Sequence, residues 1–356
     1  MSLPTEPIGS IPRPEELIEG LLAFQEGTLS QEALDRVSDR ALRATIDAFE
    51  DTGSPVITDG EQIKPSFLTY PVAGSEIVEP GGVEIPFEAG HTRTLPRLTD
   101  GPFRYTTYAV EYLERAQEHA HVPVKQSVIS ASALSFLYPD EGIEGYPRDA
   151  FLDDLVDEVE ADIRRCLDAG AHAVQIDFTE GRLAVKLDPS KDLLRQFVAL
   201  NNRVLDRFSD EERQKIGVHT CPGGDRDSTH SADVDYAELL PLLFELNAGR
   251  FYMQFASEDD PERVLKIVRE HSRADQTIFL GVIDVNDPRV ESPAEVRDTI
   301  LRAADILPAD RLGTTDDCGF SPFGDDRSTA RRTAFRKIEA RVEGTQRARE
   351  ELGLGE

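Results

Sequence analysis

Tryptophan is absent from the 356 residues, methionine occurs twice, and cysteine only three times, at Cys166, Cys221 and Cys318. So odd and sparse a set of thiols argues against a disulfide framework. It suits a reducing, cytoplasmic compartment, where cysteines act as core filler, metal ligands or nucleophiles. Long apolar runs are lacking as well: none approaches the roughly 20 residues that cross a bilayer. The N-terminus, MSLPTEPIGSIPRPEELIEG, has no basic stretch leading into an apolar one, so no secretory signal is expected. Positive charge is scarce. Against 68 acidic residues stand 39 basic ones, only seven of them lysine, for a net charge of −29. Such a surface repels nucleic acid and anionic membrane, and neither is expected as a partner. Acidic excess with little lysine points to adaptation to high salt, where counterions screen self-repulsion; an ordinary acidic cytosolic enzyme is the other reading.

What is present is a rhythm. Short apolar, β-branched runs at 6–10, 55–61, 122–128, 172–178, 215–221, 250–256, 277–284 and 312–319 alternate with longer helical patterns. Alternation of this kind predicts βα units around a parallel sheet, and eight units predict a (β/α)8 TIM barrel. Helices are expected over 14–49 (two of them), 106–118, 148–169, 191–207, 237–246, 261–271, 293–306 and 327–351, with Cys166 as filler inside one. No stretch is rich enough in Pro, Gly or Ser to divide two domains, so residues 1–356 read as one barrel domain. Residues 72–105 break the rhythm with polar–apolar alternation and Pro-Gly-Gly. They are expected to form a β-hairpin inserted between strands two and three, either a lid or a surface elaboration.

In a barrel, functional groups gather at the C-terminal ends of the strands. Those positions hold Ser10, Glu61, Gln126, Asp177, His219 with Cys221, Gln254, Asp284 with Asn286, and Cys318. His219 and Cys221, two apart on an extended strand, share a face, and Cys318 comes from the strand that closes the barrel. Imidazole with two thiolates suits zinc, and three protein donors with one open position is the pattern of a catalytic site. The tract at 221–236, with Gly-Gly and His230, reads as a mobile loop over it.

At these residues the chain resembles the cobalamin-independent methionine synthase family, in its short single-barrel form. The motifs are IGS (8–10), DGE (59–61), QID (175–177), HTC (219–221), VIDVNDPRVES (282–292) and DDCGF (316–320). The resemblance implies zinc on His219, Cys221 and Cys318, with Gln254 at the place of the family's glutamate ligand. It implies that Ile8 and Ser10 hold the carboxylate of homocysteine while Glu61 and Asp177 hold its ammonium, with Gln126 beside them. Asn286 stands where the family carries a catalytic histidine, so Asp177 and Asn286 are the candidates for the chemistry. The implied reaction is methyl transfer to the homocysteine thiol, giving methionine. The donor is left open among folate, a methylated corrinoid protein and a methylthio compound. Two other readings stay open: a zinc alkyltransferase for another thiol such as coenzyme M, and a retired barrel that only binds zinc or a thiol.

Overall fold

The computed structural model describes residues 3–90, 92–224 and 229–354. After an isolated bridge at Thr5, the chain forms α1 (Glu15–Gln25) and α2 (Gln31–Asp51). The second helix begins where the Ser30 hydroxyl accepts the N–H of Ala33. Four short strands follow, β1 (Val78–Glu79), β2 (Glu84–Pro86), β3 (Thr92–Thr94) and β4 (Arg97–Leu98). They pair antiparallel, β2 with β3 inside β1 with β4. Beyond α3 (Val110–Gln117), strands and helices alternate: β5 (Gln126–Ile129), α4 (Ala131–Leu134), α5 (Arg148–Asp168), β6 (Val174–Asp177), α6 (Glu180–Leu187), α7 (Asp192–Leu205), α8 (Asp210–Arg213), β7 (Ile216–Thr220) and α9 (Tyr236–Leu243). The series ends with β8 (Arg250–Met253), α10 (Pro261–His271), β9 (Thr277–Gly281), α11 (Pro293–Ala304), β10 (Leu312–Thr315) and α12 (Arg331–Glu351).

Strands β5 to β10 form one parallel six-stranded sheet in sequence order. The two remaining expected strands, at 6–10 and 55–61, do not form ladders. Parallel bridges stand at the sheet edges in their place, Thr5 to Thr314 just before the first and Ile57 to Val124 within the second. The reason is local: Pro4, Pro7 and Pro12 remove donors from the first, and Gly60 (φ 63°) and Glu61 (φ 55°) turn the second out of extended conformation. These edge segments meet one another, Ile11 N–H donating to Gly60 O at 3.0 Å and the Thr58 hydroxyl to Gly9 O at 2.9 Å.

The sheet is buried on both faces, as parallel sheets are. One face carries Val128, Val174, Ile176, Val218, Phe251 and Leu280 into the main apolar core. The other is polar and aromatic: Lys125 donates to Gln175, Gln175 donates to Asp177, both at 2.7 Å, and Tyr252 stacks on Phe279. Gly217 makes room for that stack, since a Cβ there would lie 2.4 Å from the Tyr252 ring. At the end of the chain, α12 sends two buried cations back to the sheet. Lys337 pairs with Glu291 and Arg341 with Asp316. Among the described residues, no helix is long and apolar enough to cross a membrane.

Candidate metal and thiol site

Register places the site. Asp177 lies opposite His219, and His219 opposite Tyr252, at the C-terminal ends of β6, β7 and β8. The His219 Nδ1–H donates to Tyr252 O at 3.1 Å, which fixes the tautomer and leaves the Nε2 lone pair free to bind. That Nε2 is buried and has no oxygen or nitrogen partner among the described residues. The sulfurs of Cys221, just past β7, and Cys318, three residues past β10, lie 2.7 Å apart. The three ligand atoms all fall within 4.8 Å of one another. Burial alone would raise both thiols. Contact with Cys318 and the charge of His219 nonetheless hold Cys221 well below the usual thiol range, and Cys318 is pushed well above it by burial and by its neighbour. Two buried sulfurs this close need a cation if both are to be thiolates. Two sulfurs and an imidazole nitrogen with an unused lone pair form a donor set that fits zinc.

The residues preceding Cys318 are pinned from two sides. The Asp316 carboxylate accepts from Arg341 of α12. The Asp317 carboxylate accepts the N–H groups of Phe255, Ala256 and Ser257 at 2.8 to 2.9 Å, and the Ser257 hydroxyl at 2.7 Å. The segment after β8 and the one bearing Cys318 are therefore tied together.

Ile8, Ser10, Asp177, His219 and Cys318 line one cavity, whose far wall is apolar, with Phe67, Leu68, Phe87, Phe136, Leu183 and Phe323. The Ser10 hydroxyl accepts the N–H of Ser321, which ties the first segment to the last. Asp177 is pushed up to about 6 by burial and then by the charge of Glu61. Glu61 is deeper and does not line the cavity. It accepts from Lys64 Nζ at 3.1 Å and from the Ser127 hydroxyl at 2.7 Å. Lys64 is held above its ordinary value because Glu61 and Asp59 outweigh the burial that opposes its charge.

Three expected members stand apart from this group. Gln126 is the first residue of β5, not its C-terminal end, and strand alternation turns it to the face opposite Ser127. Its side chain is fully buried, with Nε2 donating to Ser127 O. Gln254 turns its Oε1 toward Arg182 Nη1 at 3.4 Å and donates from Nε2 to Ser257. Asn286 lies in the segment after β9, where its N–H donates to the Asp284 carboxylate, and it does not line the cavity. Of the tract expected to form a loop, 225–228 lie outside the described residues, while His230 lines the cavity with its Nδ1 2.9 Å from the Ser231 hydroxyl. Sequence reasoning missed Lys64, Glu180 and Asp317. The available signal was position: each lies one to three residues from a residue already singled out.

Residues 3–339 match the family described as cobalamin-independent synthase, catalytic domain, and the chain belongs to that family. It is 24% identical to a methionine synthase of Sulfurisphaera tokodaii, over 98% of this chain and 94% of that one. To a methionine synthase of Saccharolobus solfataricus it is 23% identical, over 98% and 96%. The structure of a B12-independent methionine synthase from Shewanella, solved with selenomethionine, covers 100% of both chains at a TM-score of 0.78 and 19% identity. A putative vitamin-B12-independent methionine synthase from Listeria monocytogenes gives 0.72 and 20%, over 98% of this chain and 99% of that one. At these identities the two structures speak for the fold alone.

Proposed function

We propose that the chain closes as a single (β/α)8 barrel and is a cytoplasmic, zinc-dependent methyltransferase that moves a methyl group to the thiol of homocysteine, giving methionine. Support for closure comes from the hydrogen bonds between the two edge segments, which join the sheet's free sides. The observation that carries the chemistry is the buried His219 Nε2, unpaired among the described residues and set beside the sulfurs of Cys221 and Cys318. When bound there, zinc supplies the Lewis acidity that holds a substrate sulfur as thiolate near neutral pH.

The protein's own groups do the rest. Tyr252 O keeps His219 in the tautomer that presents Nε2, and Asp317 with Arg341 holds the segment bearing Cys318. Ser10 and the backbone near Ile8 face the cavity and are assigned to the substrate carboxylate. Asp177, also facing it, takes the ammonium, with Glu61 behind contributing charge. Gln254 is engaged with Arg182, so the ligand set proposed is His219, Cys221 and Cys318, leaving one position for the substrate thiol. The methyl donor is a small methylated molecule or a methylcorrinoid protein.

One observation favours a second reading. Lys64 already pairs with Glu61, so one of the two carboxylates assigned to a substrate ammonium is neutralised from within. A thiol without an ammonium group, such as coenzyme M, would then be accepted. Competition binding between homocysteine and mercaptoethanesulfonate separates the two.

The test of the main reading is zinc content of protein purified without chelators, repeated on Cys318→Ser. About one zinc per chain, lost together with methyl transfer in the variant, is expected. Zinc-free wild-type protein, or full activity in metal-free Cys318→Ser, would overturn it.

A further inference from the structure

Glu180, the first residue of α6, is 5% exposed and lines the same cavity as His219 and Cys318. Its Oε1 accepts from the Ser130 hydroxyl at 2.5 Å and from the Ser132 hydroxyl. Its Oε2 is buried with no partner among the described residues. A buried carboxyl oxygen left bare is costly unless something fills the role of partner. Both serines belong to the start of α4, and Asn201 of α7 donates to Ser132 in turn, so the carboxyl is held rigidly with one oxygen uncommitted.

The lining decides what can approach it. Phe67, Phe87, Phe136, Leu183 and Phe323 make the wall apolar, and among the described residues no lysine or arginine lines it. An anionic co-substrate would meet the Asp177 carboxylate with no lysine or arginine among the described lining residues to balance it. Resting on the methyltransferase reading, we propose that Glu180 is the proton donor to the leaving group of the methyl donor, and that the cavity takes a donor with an apolar, uncharged body and a methylated nitrogen.

The step balances. A bond forms between the substrate thiolate sulfur and the methyl carbon as the nitrogen–carbon bond breaks, and the electron pair of that bond stays on nitrogen. The proton on the Glu180 carboxyl passes to the nitrogen, so a neutral amine leaves and Glu180 becomes a carboxylate. Solvent returns its proton, replacing the one the thiol released on binding. Among the described residues, the other titratable groups sharing the cavity with Glu180 are Asp177 from β6, His219 from β7, His230 and Cys318. Near neutral pH His230 is a neutral imidazole, a far weaker acid than the Glu180 carboxyl. Burial pushes Glu180 up to about 7, with Asp177 adding to the rise, whereas burial pulls His230 down to about 4.

The test uses zinc-loaded enzyme, homocysteine and two methyl sources: N,N-dimethylaniline, whose leaving nitrogen needs a proton, and trimethylsulfonium, whose leaving sulfide does not. Single-turnover formation of methionine is followed by mass spectrometry. With Glu180→Gln, the rate from the aniline should fall about 100-fold or more, the usual range for a general acid, while the sulfonium rate stays within about threefold of wild type. In wild-type enzyme, the aniline rate alone should fall as pH rises through about 7, a check that does not depend on the variant folding. Equal loss with both donors, no loss with either, or matching pH profiles would overturn the role of Glu180. Wild-type transfer from the sulfonium but not the aniline would overturn it and leave the methyltransferase reading standing. Transfer from neither would overturn the assignment of this cavity to such a donor, while the methyltransferase reading is decided separately by zinc content and Cys318→Ser.

Discussion

Lys64 and Glu61 form an ion pair whose side chains are 1% and 5% exposed, with Ser127 bonded to both. Removing one member of a buried pair leaves the other charge uncompensated, a loss of about 3–5 kcal/mol. Lys64→Met should therefore lower unfolding stability by that order, read from the denaturant midpoint at constant slope. An unchanged midpoint would mean that Glu61 is satisfied by Ser127 and solvent alone. At this scale the sequence was partly legible. His219, Cys221 and Cys318 could be picked out because soft ligands are rare in this chain and stood at strand ends. Gln126 could not be placed, since the face a strand residue takes depends on where its strand begins, and a one-residue difference reverses it. Lys64 was hidden because a lone lysine near a carboxylate looks the same in sequence whether it is solvated or buried.

Helix α12 is held against α11 by a close approach at Gly344. A Cβ there would lie 2.5 Å from the Val296 side chain and 2.8 Å from Pro293 O. In an exposed helix, glycine to alanine gains about 1 kcal/mol. Here the obstacles are a backbone oxygen and a β-branched side chain, neither of which can rotate away. Overpacking at about 1–3 kcal/mol should outweigh that gain, so Gly344→Ala is expected to lower the melting temperature, and a higher one would show that the two helices can slide apart. The consequence reaches the site, because α12 carries Lys337 and Arg341 to the segments after β9 and β10. Elements with strong periodicity, such as α2, α5 and the six central strands, could be read from the chain. The edge strands could not, because their prolines and left-handed turn leave one bridge apiece. The helix that presents Glu180 was missed as well: at eight residues, it runs almost directly into α7 and is buried by tertiary packing rather than marked by a pattern of its own.

For the molecule as a whole, two electrostatic effects act together and can be separated. Burial raises Asp162 and Asp177 from 3.8 to about 6, Asp317 from 3.8 to about 7 and Glu180 from 4.5 to about 7. A raised carboxyl binds its proton more tightly in the folded state than in the unfolded one. Between the two values the folded state therefore holds more protons, and stability falls as pH rises from about 4 to about 7. Glu6 acts in the opposite sense but lower down. Burial would raise it, yet His172, Lys125 and Arg250 hold it near 2, so its contribution is present above 4.5 and lost as pH falls toward 2. The surface effect comes from the net charge of −29, whose self-repulsion grows as carboxylates ionise and shrinks with salt. Raising salt from 0.1 M to 1 M shortens the screening length from about 10 Å to about 3 Å, which damps exposed charges far more than buried ones. Thermal unfolding across pH 4 to 7 should then show a stability decline at both salt concentrations, with the whole curve shifted upward at 1 M. The part of the decline that survives 1 M salt belongs to the buried carboxyls, at roughly 1.4 kcal/mol for each tenfold gain in proton affinity on folding, and Asp162→Asn should flatten it. The upward shift belongs to the surface. A curve that does not move with salt would sink the reading of this acidic, lysine-poor chain as salt-adapted, while leaving the slope assigned to the buried carboxyls intact.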